Sequence, residues 1–205
     1  MGGPGRPSIA THLFLASMMR HRRNYNEPGH AHELTFSCYQ KYPFLKADRT
    51  CQWLLEAIHA ARVRWDFELW AYVFMPDHAH LIIRPRDACY DMGTIRRAIK
   101  APVARRAIAY LEAAAPEWIP RITRRRGSRN ERLFWQSGGG YDRNITEPQT
   151  LMRMIAYIHN NPVREGLIQT AAAWKWSSAG WYINQTSGPM PVDPIPPQWL
   201  YDVGG

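Results

Sequence analysis

The chain has 205 residues, enough for one packed domain with appendages. It carries 26 Lys and Arg against 17 Asp and Glu, a net charge of +9 and a pI near 9.8, which calls for a polyanionic partner such as nucleic acid or an acidic membrane surface. No run of eighteen or more apolar residues exists, so no membrane span is expected. The three cysteines, Cys38, Cys51 and Cys89, are odd in number and lack metal-finger spacing, which suits a reducing cytoplasm better than a disulfide framework.

In chain order, residues 1–22 read as a tail. The apolar stretch Ile9 to Ala16 is short, is broken by Thr11 and His12, and follows a single charge, Arg6, so it is a poor secretory signal. Met18 and Met19 are alternative starts. His32 to Tyr39 is rich in β-formers and reads as a strand. Ala47 to Val63 reads as a helix, with Trp53, Leu54, Ile58 and Ala61 at helical spacing. Phe67 to Phe74 is a second strand, Pro76-Asp77 a turn, and His78 to Arg84 a third strand. This succession predicts an α+β fold, a ferredoxin-like antiparallel sheet with helices on one face.

Thr94 to Ala115 predicts a second helix, kinked or broken at Pro102. Arg121 to Arg129 reads as a basic loop. Leu133 to Gln136 begins a further strand, loosened by the glycines at 138–140. Glu147 or Pro148 opens a helix that carries Tyr157. The domain would run over residues 23–168, followed by a Trp- and Pro-rich, mostly irregular extension over 169–205.

Two motifs carry chemistry. The first is Pro76-Asp77-His78-Ala79-His80. Side chains alternate along a strand, so His78 and His80 share one face and can grip a cation as a pair. Asp77 beside them is either a partner for an imidazole N–H or a turn residue. The second is Tyr157-Ile158-His159-Asn160-Asn161-Pro162-Val163-Arg164-Glu165-Gly166-Leu167. Here Leu151, Met154, Ile155 and Ile158 form the buried stripe, and Tyr157 and Asn161 lie together on its flank, one turn apart. Pro162 disfavours helical geometry at Asn161. Tyr72 and Tyr141 are rival tyrosines. The first is on a strand among core aromatics, and the second is in a glycine-rich stretch that makes a poor platform.

Together these motifs, with Trp176-Ser177-Ser178 after them, resemble the single-tyrosine HUH transposases, and most closely the branch called REP-associated tyrosine transposases. The resemblance spans His30 to Trp181. It implies Tyr157 as nucleophile, His78 and His80 as metal ligands with Asn161 as the third, and Mg²⁺ or Mn²⁺ as cofactor. It also implies that the substrate is single-stranded DNA flanking a REP-like hairpin, cut through a 5′-phosphotyrosine link. A monomer and a homodimer are both compatible with the family. Gln136 and Asp142 lie where relatives have Trp-Gln and Asp-His stretches, and Arg143 stands where that histidine is expected.

DNA contact is assigned to Arg96, Arg97, Lys100 and Arg105 on the second helix and to Arg124, Arg125 and Arg126 in the basic loop. Trp135, Trp174, Trp176 and Trp181 can stack on bases or serve the core. Two other readings stay open: a catalytically silent hairpin-binding protein of the same fold, and a metal-dependent phosphodiester hydrolase that uses water in place of tyrosine.

Overall fold

The computed structural model describes residues 26–138 and 140–200; the N-terminal tail and the alternative starts lie outside them. Strand β1 (Ala31–Ser37) leads into helix α1 (Asp48–Trp65), hairpin β2–β3 (Phe67–Phe74, His78–Pro85) and helix α2 (Met92–Ala114). A short helix α3 (Ile119–Ile122) and a two-stranded hairpin β4–β5 (Thr123–Arg126, Arg129–Arg132) precede strand β6 (Tyr141–Ile145). Helix α4 (Pro148–His159), the single turn α5 (Asn161–Arg164) and α6 (Ala179–Asn184) complete the chain. The main sheet is antiparallel with order β2-β3-β1-β6. With one helix between β1 and β2 and another between β3 and β6, this is the ferredoxin-like arrangement.

Local chemistry explains the boundaries. Asp91 caps α2 by accepting from the backbone N–H groups of Gly93 (2.9 Å) and Thr94 (3.1 Å). Pro148 takes the first turn of α4, where a missing N–H costs nothing. Pro102 neither breaks nor ends α2, because Ile99 and Val103 on either side are fully buried against the sheet and hold the helix together. The arginine-rich stretch is the hairpin β4–β5 rather than a loop. The expected strand at Leu133 to Gln136 shrinks to one bridge between Trp135 and Cys38, and the fourth main strand is the segment after the glycines.

The sheet has a core on each face. Leu34, Phe36, Tyr72, Phe74, Leu81 and Ile83 pack against α1 and α2. Trp70, Val73, Ile82 and Ile145 pack against Leu151, Ile155 and Ile158 of α4 and against Trp199. The expectation of helices on one face therefore holds for the two long helices only. The amphipathic α4 covers the opposite face, because β2 is buried on both sides and needs apolar cover on both.

Residues 174–199 strap the outer edge of β2. Phe74 N donates to Trp176 O (2.8 Å), Ser178 N to Tyr72 O (3.0 Å) and Asp193 N to Leu69 O (2.8 Å). The Asp193 carboxylate also accepts from Leu69 N (2.7 Å) beside a β-bulge at Leu69/Ala71. An exposed strand edge is thereby covered. Trp174 and Trp176 serve this strap, their indole N–H groups donating to Phe74 O (2.9 Å) and Asp48 (3.0 Å), and Trp135 donates to Lys100 O (3.0 Å). Of the four tryptophans weighed for base stacking, only Trp181 is exposed. No described helix is long and apolar enough to cross a membrane.

Candidate active site

Alternation along β3 sends Ala79, Leu81 and Ile83 into the core under α1 and α2. His78 and His80 therefore face the α4 side, with ring centroids 4.9 Å apart and planes nearly perpendicular. Each ring is held through Nδ1. Asp77 Oδ1 lies 2.6 Å from His78 Nδ1, and Thr35 Oγ1 lies 2.9 Å from His80 Nδ1. The buried Glu33 carboxylate stands 3.5 Å from that same His80 nitrogen. No described residue partners either Nε2. Imidazoles fixed through one nitrogen with the other free are set up to bind a metal.

Burial holds His78 below its usual pKa, opposed by the Asp77 hydrogen bond, so its ring is neutral near pH 7 as a ligand must be. Burial raises the Asp77 carboxyl, but hydrogen bonds from His78 and from Lys41 (3.2 Å) outweigh it and leave it below the ordinary range.

Tyr157 is 47% exposed, and the Arg164 guanidinium lies 4.8 Å from its ring centroid. The height of Tyr157 along the sheet follows from its neighbour. His159 is buried, with Nε2 2.8 Å from Ser178 Oγ, and Ser178 is bonded to the Tyr72 backbone. The next residue, Val73, is the cross-strand partner of His80. The last turn of α4 thus arrives at the level of the histidine pair, on their face of the sheet. Burial pushes the His159 pKa down to about 4, so the imidazole is a neutral structural pin.

Asn161 is buried 6% exposed, and its amide Nδ2 has no hydrogen-bond partner. The α-helical run pauses at Asn160 and resumes at Asn161 as α5 with Pro162 in its first turn, so Asn161 is helical despite the proline after it. The open Nε2 atoms of His78 and His80 suit a divalent cation, and Asn161 would join them through its Oδ1, since an amide nitrogen donates hydrogen bonds and does not bind a cation. Among the described residues, no three His, Cys, Asp or Glu side chains form a metal cluster.

The rival tyrosines separate. Tyr72 is fully buried, its hydroxyl donates to Met190 O (3.2 Å) and burial pushes its pKa up to about 12, so it cannot meet a substrate. Tyr141 is placed differently from the sequence expectation. It lies on β6 opposite Thr35, which in turn lies opposite His80, so the three share one face of the sheet.

The expected DNA residues do not form one surface. Arg96, expected on DNA, is instead buried, its guanidinium 2.9 Å from Asp142, which also meets the buried His32 ring at 2.9 Å. This makes it an anchor between α2 and β6. Lys100 is half-buried, its pKa lowered to about 8 by burial and then by Arg96, with Nζ donating to Gly138 O (3.3 Å). Arg97 and Arg105 are exposed and line a groove between α1 and α2 together with Arg64. Arg124 and Arg126 share Glu131 across the β4–β5 hairpin, and Arg125 projects from it. The α2 arginines belong to the opposite face of the sheet from the histidine pair.

Glu33 and Thr35 have no role in the sequence reading, and His159 and Ser178 enter it only as members of the Tyr157 and Trp176-Ser177-Ser178 motifs. The alternation His32-Glu33-Leu34-Thr35-Phe36 held a signal for the first two, since a polar residue at every second position marks a face that is not purely core.

No family model matches the chain. A protein of Haemophilus influenzae, provisionally named a REP-associated tyrosine transposase, is 25% identical over 173 residues, covering 78% of this chain and 85% of that protein. The solved structure of a REP-associated tyrosine transposase bound to a REP hairpin superposes with a TM-score of 0.63 at 20% identity, over 90% of this chain and 94% of that one. A provisionally assigned transposase of Deinococcus radiodurans is also similar, with a TM-score of 0.42 at 19% identity, over 68% of this chain and 96% of that one. The chain is thus similar in sequence to a protein named as a REP-associated tyrosine transposase and has the fold of a solved one.

Proposed function

We propose that the protein is a single-stranded DNA endonuclease and strand transferase that cuts beside hairpins through a covalent tyrosine link. One observation carries this reading: His78 and His80 are each held through Nδ1 with Nε2 free, and the exposed Tyr157 stands at their level on the same face of the sheet. A core tyrosine beside two ordinary strand histidines would share neither the exposure nor the open nitrogens.

His78, His80 and Asn161 are the residues that would hold a divalent cation. Mg²⁺ or Mn²⁺ held by them would polarise the scissile phosphate and offset the charge that grows on its oxygens. Asp77 keeps the His78 ring in place, as Thr35 and Glu33 do for His80. Tyr157 gives up its hydroxyl proton and its oxygen bonds to phosphorus. The bond from phosphorus to the 3′ oxygen breaks, and that oxygen leaves as a 3′-OH after taking a proton. The 5′ end stays on Tyr157 as a phosphodiester, so a later 3′-OH can attack and rejoin DNA without a nucleotide cofactor. Arg164 over the Tyr157 ring sets a positive charge beside the incoming phosphate. Arg97, Arg105 and the β4–β5 arginines are offered to the DNA backbone, with Lys100 behind them. The protein acts in the cytoplasm on a REP-like hairpin.

The test is a denaturant-resistant protein–DNA adduct, formed with Mn²⁺ or Mg²⁺ and hairpins bearing single-stranded flanks. The adduct should vanish in Tyr157→Phe and persist in Tyr141→Phe. Cleavage without an adduct would identify a hydrolase using water, and hairpin binding without cleavage would identify a silent binding protein.

A further inference from the structure

Strand β6 presents Tyr141, Arg143 and Ile145 to the α4 face of the sheet and Asp142 and Asn144 to the α2 face, as its register with β1 requires. Ile145 closes the lower core, whereas Tyr141 and Arg143 are exposed. Among the described residues β6 is the outer strand on its side and pairs only with β1. Arg143 lies against Met154 of α4, with Nη1 3.8 Å from the sulfur, and no described carboxylate pairs with it. It is an exposed cation on the face of the histidine pair, and its cross-strand neighbour Glu33 is buried beside His80, outside ion-pair distance of it.

The strand beneath these two side chains is rigid despite the glycines before it. Asp142 points through to the other face, where His32 and Arg96 hold its two oxygens at 2.9 Å each. Asn144 lies 3.0 Å from the His30 ring. Gly140 has φ +74° and passes so close to β1 that a Cβ there would run into the Thr35 carbonyl oxygen. Tyr141 is two strands from His80, about 10 Å at the usual strand spacing. An exposed aromatic ring beside an exposed guanidinium is the pairing that grips unpaired nucleic acid: the base stacks and the phosphate is neutralised.

We propose that Tyr141 and Arg143 form a ledge for the unpaired DNA next to the scissile phosphate, Tyr141 stacking on a base and Arg143 binding the backbone. This rests on the functional reading above and adds to it a location for the single-stranded segment. It also gives a role to the arginine that replaces the histidine expected at position 143.

The test measures binding of the full-length protein, without divalent metal, to a fluorescent hairpin with and without an unpaired flank. The flank should tighten binding to the wild-type protein. Tyr141→Ala should lose about tenfold of affinity for the flanked DNA, while Tyr141→Phe, which keeps the ring, retains it. Arg143→Ala should lower the slope of log K against log salt by about 0.7, the value for one single-strand phosphate contact. Every variant should bind the bare hairpin as the wild type does, which also shows that it is folded. If the flank tightens binding equally in Tyr141→Ala and Arg143→Ala, or adds nothing in the wild type, the ledge is wrong while hairpin recognition stands. A wild-type protein that binds neither DNA overturns the functional reading and the ledge together.

Discussion

Acid should loosen the helix that carries Tyr157, and His159 is the group that senses it. Its side chain is 4% exposed, Nε2 sits 2.8 Å from Ser178 Oγ, and its pKa is pushed by burial from 6.5 down to about 4. In the unfolded chain His159 binds a proton near pH 6.5. In the folded chain it does so only near pH 4. Between these values the unfolded state holds a proton that the native state lacks. The stability from the neutral buried ring is therefore complete above pH 6.5 and is lost progressively as the pH falls to 4. Each pH unit of that window is worth about 1.4 kcal/mol, so the whole span is about 3 kcal/mol. The measurement is urea unfolding of wild type and His159→Gln at a series of pH values from 7.5 to 4. Glutamine can still bond to Ser178 but does not titrate. His78 and the carboxylates contribute equally to both proteins, so the difference isolates His159. The wild type should lose about 3 kcal/mol relative to the variant across the window. Parallel curves would refute the argument, and an imidazole titrating near 6.5 in the folded protein would locate the error in its burial.

Removing the Asp142 carboxylate should destabilise the fold by roughly 3–5 kcal/mol in denaturant unfolding, because Asp142→Ala takes away the acid that both the buried Arg96 guanidinium and the buried His32 ring meet; a loss below about 1 kcal/mol would mean that Arg96 reaches solvent. Thr35→Val removes the hydrogen bond that orients His80 and should weaken Mn²⁺ binding about 10- to 100-fold, read from the metal concentration needed to raise Tm; an unchanged dependence would mean that His80 is no ligand. Arg97→Ala with Arg105→Ala should reduce the salt slope of hairpin binding by about 2, or about 0.9 for each duplex phosphate contact, and Arg96→Ala should instead show its effect as lost stability. A slope that does not move would remove the α1–α2 groove from the DNA surface.

Strand-forming alternation at His32–Tyr39 and His78–Arg84, the helical stripe of α4 and the basic charge are local or compositional properties, and each was legible from residue order. So was the sharing of one face by His78 and His80, since period two allows nothing else. The boundary errors have local causes as well. Arg121 to Arg129 gave no apolar alternation because β4–β5 packs little against anything, and β6 is an edge strand whose residues are half polar.

What the sequence could not decide depends on contacts between distant segments. Which face α4 covers follows from β2 being apolar on both sides and from His159 meeting Ser178, nineteen residues further on. Arg96 looks like any other arginine of its helix until Asp142, 46 residues away, is found beside it. Tyr141 looks like part of a flexible glycine-rich stretch until register with β1 sets it in line with His80, and the Asp142 clamp shows why the strand is stiff. Periodicity determines which residues share a face of one element. Only packing between elements determines which face is buried, which charge is paired, and which tyrosines reach solvent.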